Sequence, residues 1–499
     1  MTEPHDPARP TLIRGGLVLD SAGWLGAVDI LVSDGRIAAI GQPGMAGPEG
    51  AQVIDANRRL LHPGLVNAHT HGHGNIGKSS GDRWTLELLL AGGAHISGFT
   101  SAEQKHISAK IGAAEMVLKG CTAAYDLFVE FPGPTAEGIA AVAEAYDSVG
   151  MRAVVAPMVA DLSVYEAIPG LFEALPEWLG AELPRLPPYE ESVAALRRIL
   201  QDWRFDRAKL RPALAPTIPL HCRDEFLAAC RQLATEFEVG VHTHMAESKI
   251  QAVSGQARYG RSLTAHMGEM GLLGPRFTAA HGVWLESEDM RMLAAHGASV
   301  AHNPASNMRL GNGIADLAGM LAVGLNVGLG TDAATCSDNL SMYASMHFAA
   351  AGAHVRGPDP AKWPTAGQIF AAATTGSAQA LGFERIGRIA PGYEADIVFL
   401  DLDAPTLIPL NNPLNQLVFA EDGTSVDSVM IGGRFVVRGR RLLTVDLAAL
   451  SDQAAGLHAE LERSARPAKR RFECVAPIIA DFCPALARTE WPINRWCGC

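Results

Sequence analysis

The stretch His69–Gly77, HTHGHGNIG, carries the residue types of two different chemistries. His69, His71 and His73 have the type and spacing of metal ligands, while Gly72, Gly74 and Gly77 satisfy the G-x-G-x-x-G pattern that cradles a dinucleotide pyrophosphate. The glycine reading needs a helix directly after the third glycine and an acidic residue roughly twenty positions on, behind a second strand. Here KSSGDRWTLELLL follows, a loop before any helix, and no strand intervenes before Cys121. The dinucleotide reading is therefore rejected and the metal reading kept. Residues two apart in a strand share a face, so His69 and His71 project together while Thr70 faces away, as two ligands of one ion require. His73 lies beyond Gly72, where alternation no longer sets its direction, and it is a candidate for touching substrate rather than metal.

A second alternating pair occurs in HTHMAES (242–248). His244, nearer the end of its strand, is the candidate ligand, and the deeper His242 is a packed residue supporting it. Glu247 overhangs the same place, where a dry pocket raises a carboxyl pKa enough for it to shuttle protons. His281, closing the strand in FTAAHGV, fits a hydrogen-bonding or water-positioning role, and Asp332 in LGTDAAT offers a carboxylate able both to bind a metal and to accept a proton from water. Three imidazoles and one carboxylate, with room for water, suit one divalent metal per subunit: zinc first, with Fe(II) or Mn(II) also accommodated.

These residues sit at the ends of eight short β-type segments: 65–71, 121–128, 152–159, 210–217, 239–247, 277–283, 298–304 and 326–332. Stretches with helical periodicity, such as EFLAACRQLATEFE and SEDMRMLAAHG, lie between them, the pattern of β-α units in a parallel sheet. Eight such units close into a (β/α)8 TIM barrel, whose chemistry lies at the C-terminal ends of its strands. Segments one, five, six, seven and eight all finish in histidine or aspartate, an alignment that a random scatter of 17 histidines would rarely produce. Hairpin-rich pieces at both ends of the chain, turning at Asp34-Gly35 and Gly432-Gly433, are expected to pair into one small β-sandwich domain. The expected division is 1–63 plus 386–445 for that domain, 64–385 for the barrel, and 446–499 for a C-terminal helix and tail.

The chain has 499 residues, 48% of them hydrophobic, and a formal charge of -12, which excludes nucleic acid and anionic membrane as partners and favours a small molecule. The polar start MTEPHDPARP has no apolar signal core and no apolar run reaches membrane-spanning length, so a cytoplasmic protein is expected. Eight cysteines form no C-x-x-C pair and read as reduced structural thiols, with a metal site among Cys474, Cys483, Cys497 and Cys499 as the lesser alternative. Beyond the helical LAALSDQAAGLHAELERSA the tail loses periodicity. PAKRR reads as a solvated basic run, and WPINRWCGC as a segment that packs on a neighbouring subunit.

Taken together, PGLVNAHTH (63–71), EMVLKGCTAAYD (115–126), HTHMAES, AAHGVWL (279–285), VAHNPASNMRLGNG (300–313) and LGTDAATCSDN (330–339) resemble the amidohydrolase superfamily, in its cytosine deaminase, guanine deaminase and triazine hydrolase branch. The likeness spans residues 11 to about 445. It implies a mononuclear site of His69, His71, His244 and Asp332, with Glu247 carrying a proton to a ring nitrogen and then to the leaving group, His281 orienting water, and Asp332 taking the first proton. It also implies a small heterocyclic substrate and a homodimer or higher oligomer. Binuclear relatives carry a carboxylated lysine on the fourth strand; LRPALAPT has none, with Lys209 just before it. His221, Trp84 and Glu87 stand where relatives meet substrate, and His302, Asn303, Ser306 and Asn307 belong to a motif whose role stays open between support and substrate contact. The expected reaction is deamination of a purine, pyrimidine, pterin or triazine-type heterocycle. The alternatives are loss of another group, such as an alkylamine, halide or thiolate or a urea-like bond, and an inactive scaffold. The segment 160–192 matches no deaminase pattern and is expected to shape the pocket or a subunit contact.

Overall fold

The computed structural model describes residues 9–98 and 101–496. Five strands come first: β1 Thr11–Asp20, β2 Gly23–Ser33, β3 Arg36–Gly41, β4 Gln52–Asp55 and β5 Arg59–Pro63. Eight more follow, β6 Leu65–Thr70, β7 Cys121–Val129, β8 Arg152–Val159, β9 Leu210–Pro216, β10 Gly240–Met245, β11 Phe277–His281, β12 Ser299–His302 and β13 Asn326–Leu329. These eight are hydrogen-bonded in sequence order, all parallel. The ends of β6 and β13 also meet, since the Thr331 and Asp332 amides donate to the His69 carbonyl at 3.1 and 2.9 Å and Thr70 bridges Asp332. The expected TIM barrel is thus what the chain forms. Its strands are buried on both faces, by helices outside and by an alanine-rich plug inside that includes Ala68, Ala123, Ala156, Ala215 and Ala301. That plug is the floor on which the site rests.

The chain ends supply a second sheet. Strands β14 Ile397–Asp401, β15 Val426–Ile431, β16 Arg434–Arg438 and β17 Arg441–Leu442 join β1–β5 in the order β17-β16-β15-β14-β5-β1-β2-β3, with β4 on β1. Both halves contribute to one core, Ile13, Val28 and Ile30 from one end, Ile397, Phe399 and Met430 from the other. A single residue, Gly64, separates β5 in this sheet from β6 in the barrel, and a Cβ there would lie 2.1 Å from Thr122 Oγ1. The buried Arg152 of β8 ties the two units together through Asp396 and Glu394, at 2.9 and 2.7 Å.

The tail departs from expectation. Two helices, Leu447–Ser464 and Arg466–Ala487, follow β17, and the second encloses PAKRR in its first turns. It runs through Pro477 and Pro484 and buries Val475, Ile479 and Cys483 on one face. Four-residue spacing lays these three on one stripe, against Leu88, Tyr165, Leu171 and Ile250. The last described residues return to the chain's own barrel: the buried Arg495 donates to the Leu285 carbonyl at 2.6 Å and Trp496 to that of Gly311 at 2.9 Å. This part of the expected subunit contact is an intramolecular one. Cys474 and Cys483 are unpaired thiols, and Cys497 and Cys499 lie outside the described residues. No helix among the described residues is long and apolar enough to cross a membrane.

Candidate active site

Val66 and Ala68 point into the barrel's inner cluster, so unbroken alternation along β6 would send His69 and His71 outward to the helices. The pairing with β7 resolves this. Asn67 opposes Ala124 and Thr70 opposes Asp126, three steps against two, so β6 carries an extra residue there. The bulge shifts the phase of the strand and turns both imidazoles inward. Asn67 holds the irregular turn, its Oδ1 accepting from the His69 and Thr331 amides while its Nδ2 donates to Thr331 Oγ1 at 2.7 Å. The glycines of HTHGHGNIG have packing reasons of their own, since a Cβ on Gly72 would meet the Asp126 carboxylate at 2.3 Å.

The structure brings the expected residues together at the C-terminal mouth of the barrel. Side-chain nitrogens of His69, His71 and His244 lie within 4.8 Å of one another, and all three residues are buried. His71 Nδ1 donates to the Leu127 carbonyl and His244 Nδ1 to the Thr217 carbonyl, each at 2.5 Å. In neutral rings those bonds leave both Nε2 atoms with lone pairs, and the two Nε2 atoms face each other at 3.1 Å. Asp332 Oδ1 joins them, 3.2 Å from His71 Nε2 and 3.6 Å from His69 Nε2. His69 approaches His242 Nε2 through its Nδ1, at 3.2 Å, and its Nε2 has no partner among the described residues. Lone pairs and a carboxylate converging without a donor repel one another unless a cation sits among them. The donor set therefore fits a divalent metal.

Around this cluster the carboxylates take opposite states. Burial opposes charge on Asp332, but the His69 and His71 imidazoles, when a proton is shared among them, hold its carboxyl well below the usual range. Ser306 Oγ and the Ala333 amide add hydrogen bonds at 2.6 and 2.7 Å. Glu247 is pushed well above the usual range by burial first, then by the Asp332 and Glu87 charges. Its Oε1 accepts from Asn312 Nδ2 at 3.1 Å, and its Oε2 has no hydrogen-bond partner and lies 3.6 Å from His281 Nε2. His281 Nδ1 donates to Asn307 Oδ1 at 2.8 Å, which aims Nε2 between Glu247 and Asp332, 3.8 Å from the latter. Burial lowers the pKa of the His281 ring. His281 and Asp332 have φ of 72° and 61°, left-handed conformations that cost a non-glycine residue about 1–2 kcal/mol. Such strain at strand ends is a mark of positions built for function.

A cavity of about 310 Å³ opens above these groups. His73 and His221 line it; burial, with the Arg258 charge, lowers His221 to about 4, and His73 accepts from the Val129 amide at 3.2 Å. Leu162, Val164, Leu183 and Leu186 show that the 160–192 segment shapes the wall. Trp84 does not line the cavity and packs on Phe472 instead, with ring centroids 5.2 Å apart. Glu87 is buried beside it, accepting from Ser248 at 3.0 Å. His302 and Asn303 are buried and do not line the cavity, and Lys209 is exposed, before the fourth barrel strand. A larger hollow of about 710 Å³ at the opposite end of the barrel, by Gly240 and Arg276, contains none of the converging groups. Sequence reasoning missed three contributors: the Asn67 bulge, Asn312 beneath Glu247, and Arg471 and Phe472 of the C-terminal helix on the cavity wall. The apolar stripe through Phe472, Val475 and Ile479 was the available signal for the last.

Comparison with known proteins agrees with this geometry. The amidohydrolase family model matches residues 60–436. The 5'-deoxyadenosine deaminase of Methanothermobacter thermautotrophicus is 32% identical over 456 residues, 90% of this chain and 98% of that protein. An adenosine deaminase structure from Xanthomonas campestris with bound zinc shares the fold with a TM-score of 0.81 at 27% identity, covering 93% of this chain and 100% of the other. Atrazine chlorohydrolase TrzN from Arthrobacter aurescens TC1, complexed with zinc, also gives 0.81, at 25% identity over 90% and 100%. With the family model spanning the whole barrel, the chain belongs to the amidohydrolase family and is a hydrolase of carbon–nitrogen bonds other than peptide bonds.

Proposed function

We propose that this protein hydrolytically removes ammonia from a 6-aminopurine nucleoside at a single zinc ion held by His69, His71, His244 and Asp332. The observation that carries the reading is the facing of the two Nε2 atoms at 3.1 Å beside Asp332, an arrangement that calls for a cation, together with Glu247, raised in pKa by burial, beside them. Support for zinc comes from the two zinc-containing neighbours, and support for the purine from the adenosine and 5'-deoxyadenosine deaminases. When bound, such an ion supplies Lewis acidity that brings the pKa of water near neutrality.

The chain's own groups then divide the proton work. Asp332, ionised, accepts the proton released as water attacks C6. Glu247, raised in pKa, enters protonated and gives its proton to purine N1, which draws electrons from C6 and makes it electrophilic. His281 Nε2, between the two carboxylates, orients the nucleophile. As the tetrahedral centre collapses, the proton that Asp332 took from water passes through Glu247 to the departing amine and the hydroxyl proton left on C6 reloads Glu247, so inosine-type product and ammonia leave.

A panel of adenosine, 5'-deoxyadenosine, cytosine, guanine and a chlorotriazine, followed by ammonia and chloride release, tests this. Ammonia from the adenosines is expected. Turnover of the triazine alone would instead favour the halide-expelling reaction that the likeness to TrzN supports.

A further inference from the structure

The hollow of about 710 Å³ at the far end of the barrel shares no lining residue with the active-site cavity. It lies by the N-terminal ends of the strands, at Pro212 of β9 and Gly240 of β10, the face of this fold that does no chemistry. Its volume falls within the range of small-molecule sites, about 300–1,000 Å³. Val154, Val239, Ala378, Leu381 and Ile386 give it an apolar wall. Two polar groups are fixed in that wall.

The first is the half-buried Arg211. Its Nε donates to the Arg207 carbonyl at 2.8 Å and its Nη1 to the Gly382 carbonyl, while the guanidinium lies 4.1 Å from the centre of the Phe383 ring. The group is thereby locked, and Nη2 is left without a partner among the described residues. Arg211 forms no ion pair there, nor do Arg207 and Arg276 beside it, and the wall's only carboxylates are Glu238 and Glu384. Burial, with the Arg152 and Arg207 charges, lowers the pKa of Arg211 against the pull of Glu384. The second group is Tyr125, 2% exposed, whose hydroxyl makes no hydrogen bond with a described residue. A Cβ on Gly240 would stand 3.1 Å from that hydroxyl. Since the backbone of Gly240 is not left-handed, what the glycine provides is open space in front of Tyr125.

A buried hydroxyl without a partner and a locked guanidinium without a counter-charge are both costly, and acceptor oxygens relieve both. The planar donors of arginine match a carboxylate or phosphate. The geometry points to a second small-molecule site in this hollow, for a ligand with an apolar body and a carboxylate or phosphate group, held by Arg211 Nη2 and the Tyr125 hydroxyl. It is independent of the reaction at the other end of the barrel.

The test is calorimetric titration of the metal-loaded protein with phenyl phosphate, benzoate and neutral benzamide. One of the two anions is expected to bind about tenfold or more tightly than benzamide, as charge-assisted hydrogen bonds allow, and the tighter one identifies the group. In Arg211→Gln that ratio falls to near one, and Arg211→Lys keeps part of it. Tyr125→Phe, which removes only the hydroxyl, should weaken the preferred anion by about 2–10-fold. Each ratio is internal to one variant, so altered stability does not mimic the effect. Equal binding of the three probes to the intact protein would overturn the inference, as would an affinity untouched by Tyr125→Phe. A preference that survives Arg211→Gln but disappears in His71→Ala would place the anion on the metal and overturn it too.

Discussion

The floor and the roof of the active-site cavity are built on opposite principles. The floor is made of strand ends: each ligand imidazole is buried, most are locked by a hydrogen bond to backbone or amide, and two backbone conformations are strained to aim a side chain. The roof is made of chain outside the barrel, the 160–192 segment and helix Arg466–Ala487, and meets the cavity with apolar side chains and one unpaired arginine. Preorganised polar groups serve a transition state whose charge is known in advance, whereas an apolar wall on appended elements selects among substrates that share it. Changes to the floor should therefore act on kcat, and changes to the roof on KM.

The largest effect is expected from removing the metal ligands. His71→Ala or Asp332→Asn leaves the remaining lone pairs without their full complement, and zinc content and ammonia release should fall together, checked by elemental analysis and coupled ammonia assay. Chelation of the intact protein should likewise abolish activity, with recovery on adding zinc. A variant retaining activity without metal would erase the difference between floor and roof.

Next comes the proton shuttle. Glu247→Gln keeps the hydrogen bond from Asn312 and the shape but cannot exchange a proton, so kcat should drop by about 10²–10⁴ with metal content intact. The raised pKa of Glu247 also makes two statements about pH. As the acid, it must be protonated, so kcat should decline as pH rises through its folded pKa. For stability, the folded protein keeps a proton that the unfolded chain releases above the ordinary carboxylate range, so this group's contribution falls as pH rises from that range through the folded value. The Gln variant is free of that cost. Its Tm should exceed that of the parent at pH 8, and the gap should shrink toward pH 4. A smaller loss, roughly 10–100-fold, is expected for His242→Ala, which removes the partner of His69 Nδ1 without touching substrate.

How much of this was legible in the residues follows the same division. His69, His71, His244, His281 and Asp332 announced themselves because strand-end chemistry is written in short local spacings, and the five lie at or just beyond the ends of four strands of one barrel. The bulge at Asn67 was not legible, since it depends on register against β7, a pairing between segments more than fifty residues apart. Asn312 was quoted within a motif but without a role; only folding brings it under Glu247. Trp84 shows the converse case, in which a residue close in sequence to the chemistry is directed elsewhere by packing. The C-terminal helix was missed because Pro477 and Pro484 argue against a helix interior. Tertiary burial of Val475, Ile479 and Cys483 outweighs that preference.

That helix gives the smallest expected effect on chemistry. Ile479 is fully buried between the helix and the segment around Tyr165 and Leu171, far along the chain from any group that handles a proton. Ile479→Ala leaves a cavity there and should cost about 2–5 kcal/mol of stability if the helix unfolds with the barrel. If the helix detaches first, the global transition stays in place and only the roof loosens, exposing Phe472 and withdrawing Arg471 from the mouth. In either case the floor keeps its hydrogen bonds, so kcat at saturating substrate should change by less than about threefold while KM rises, the pattern of lost uniform binding. Hydrogen exchange across 466–487 separates the two cases, and a fall in kcat as large as that of His242→Ala would mean that the roof also sets the geometry of the floor.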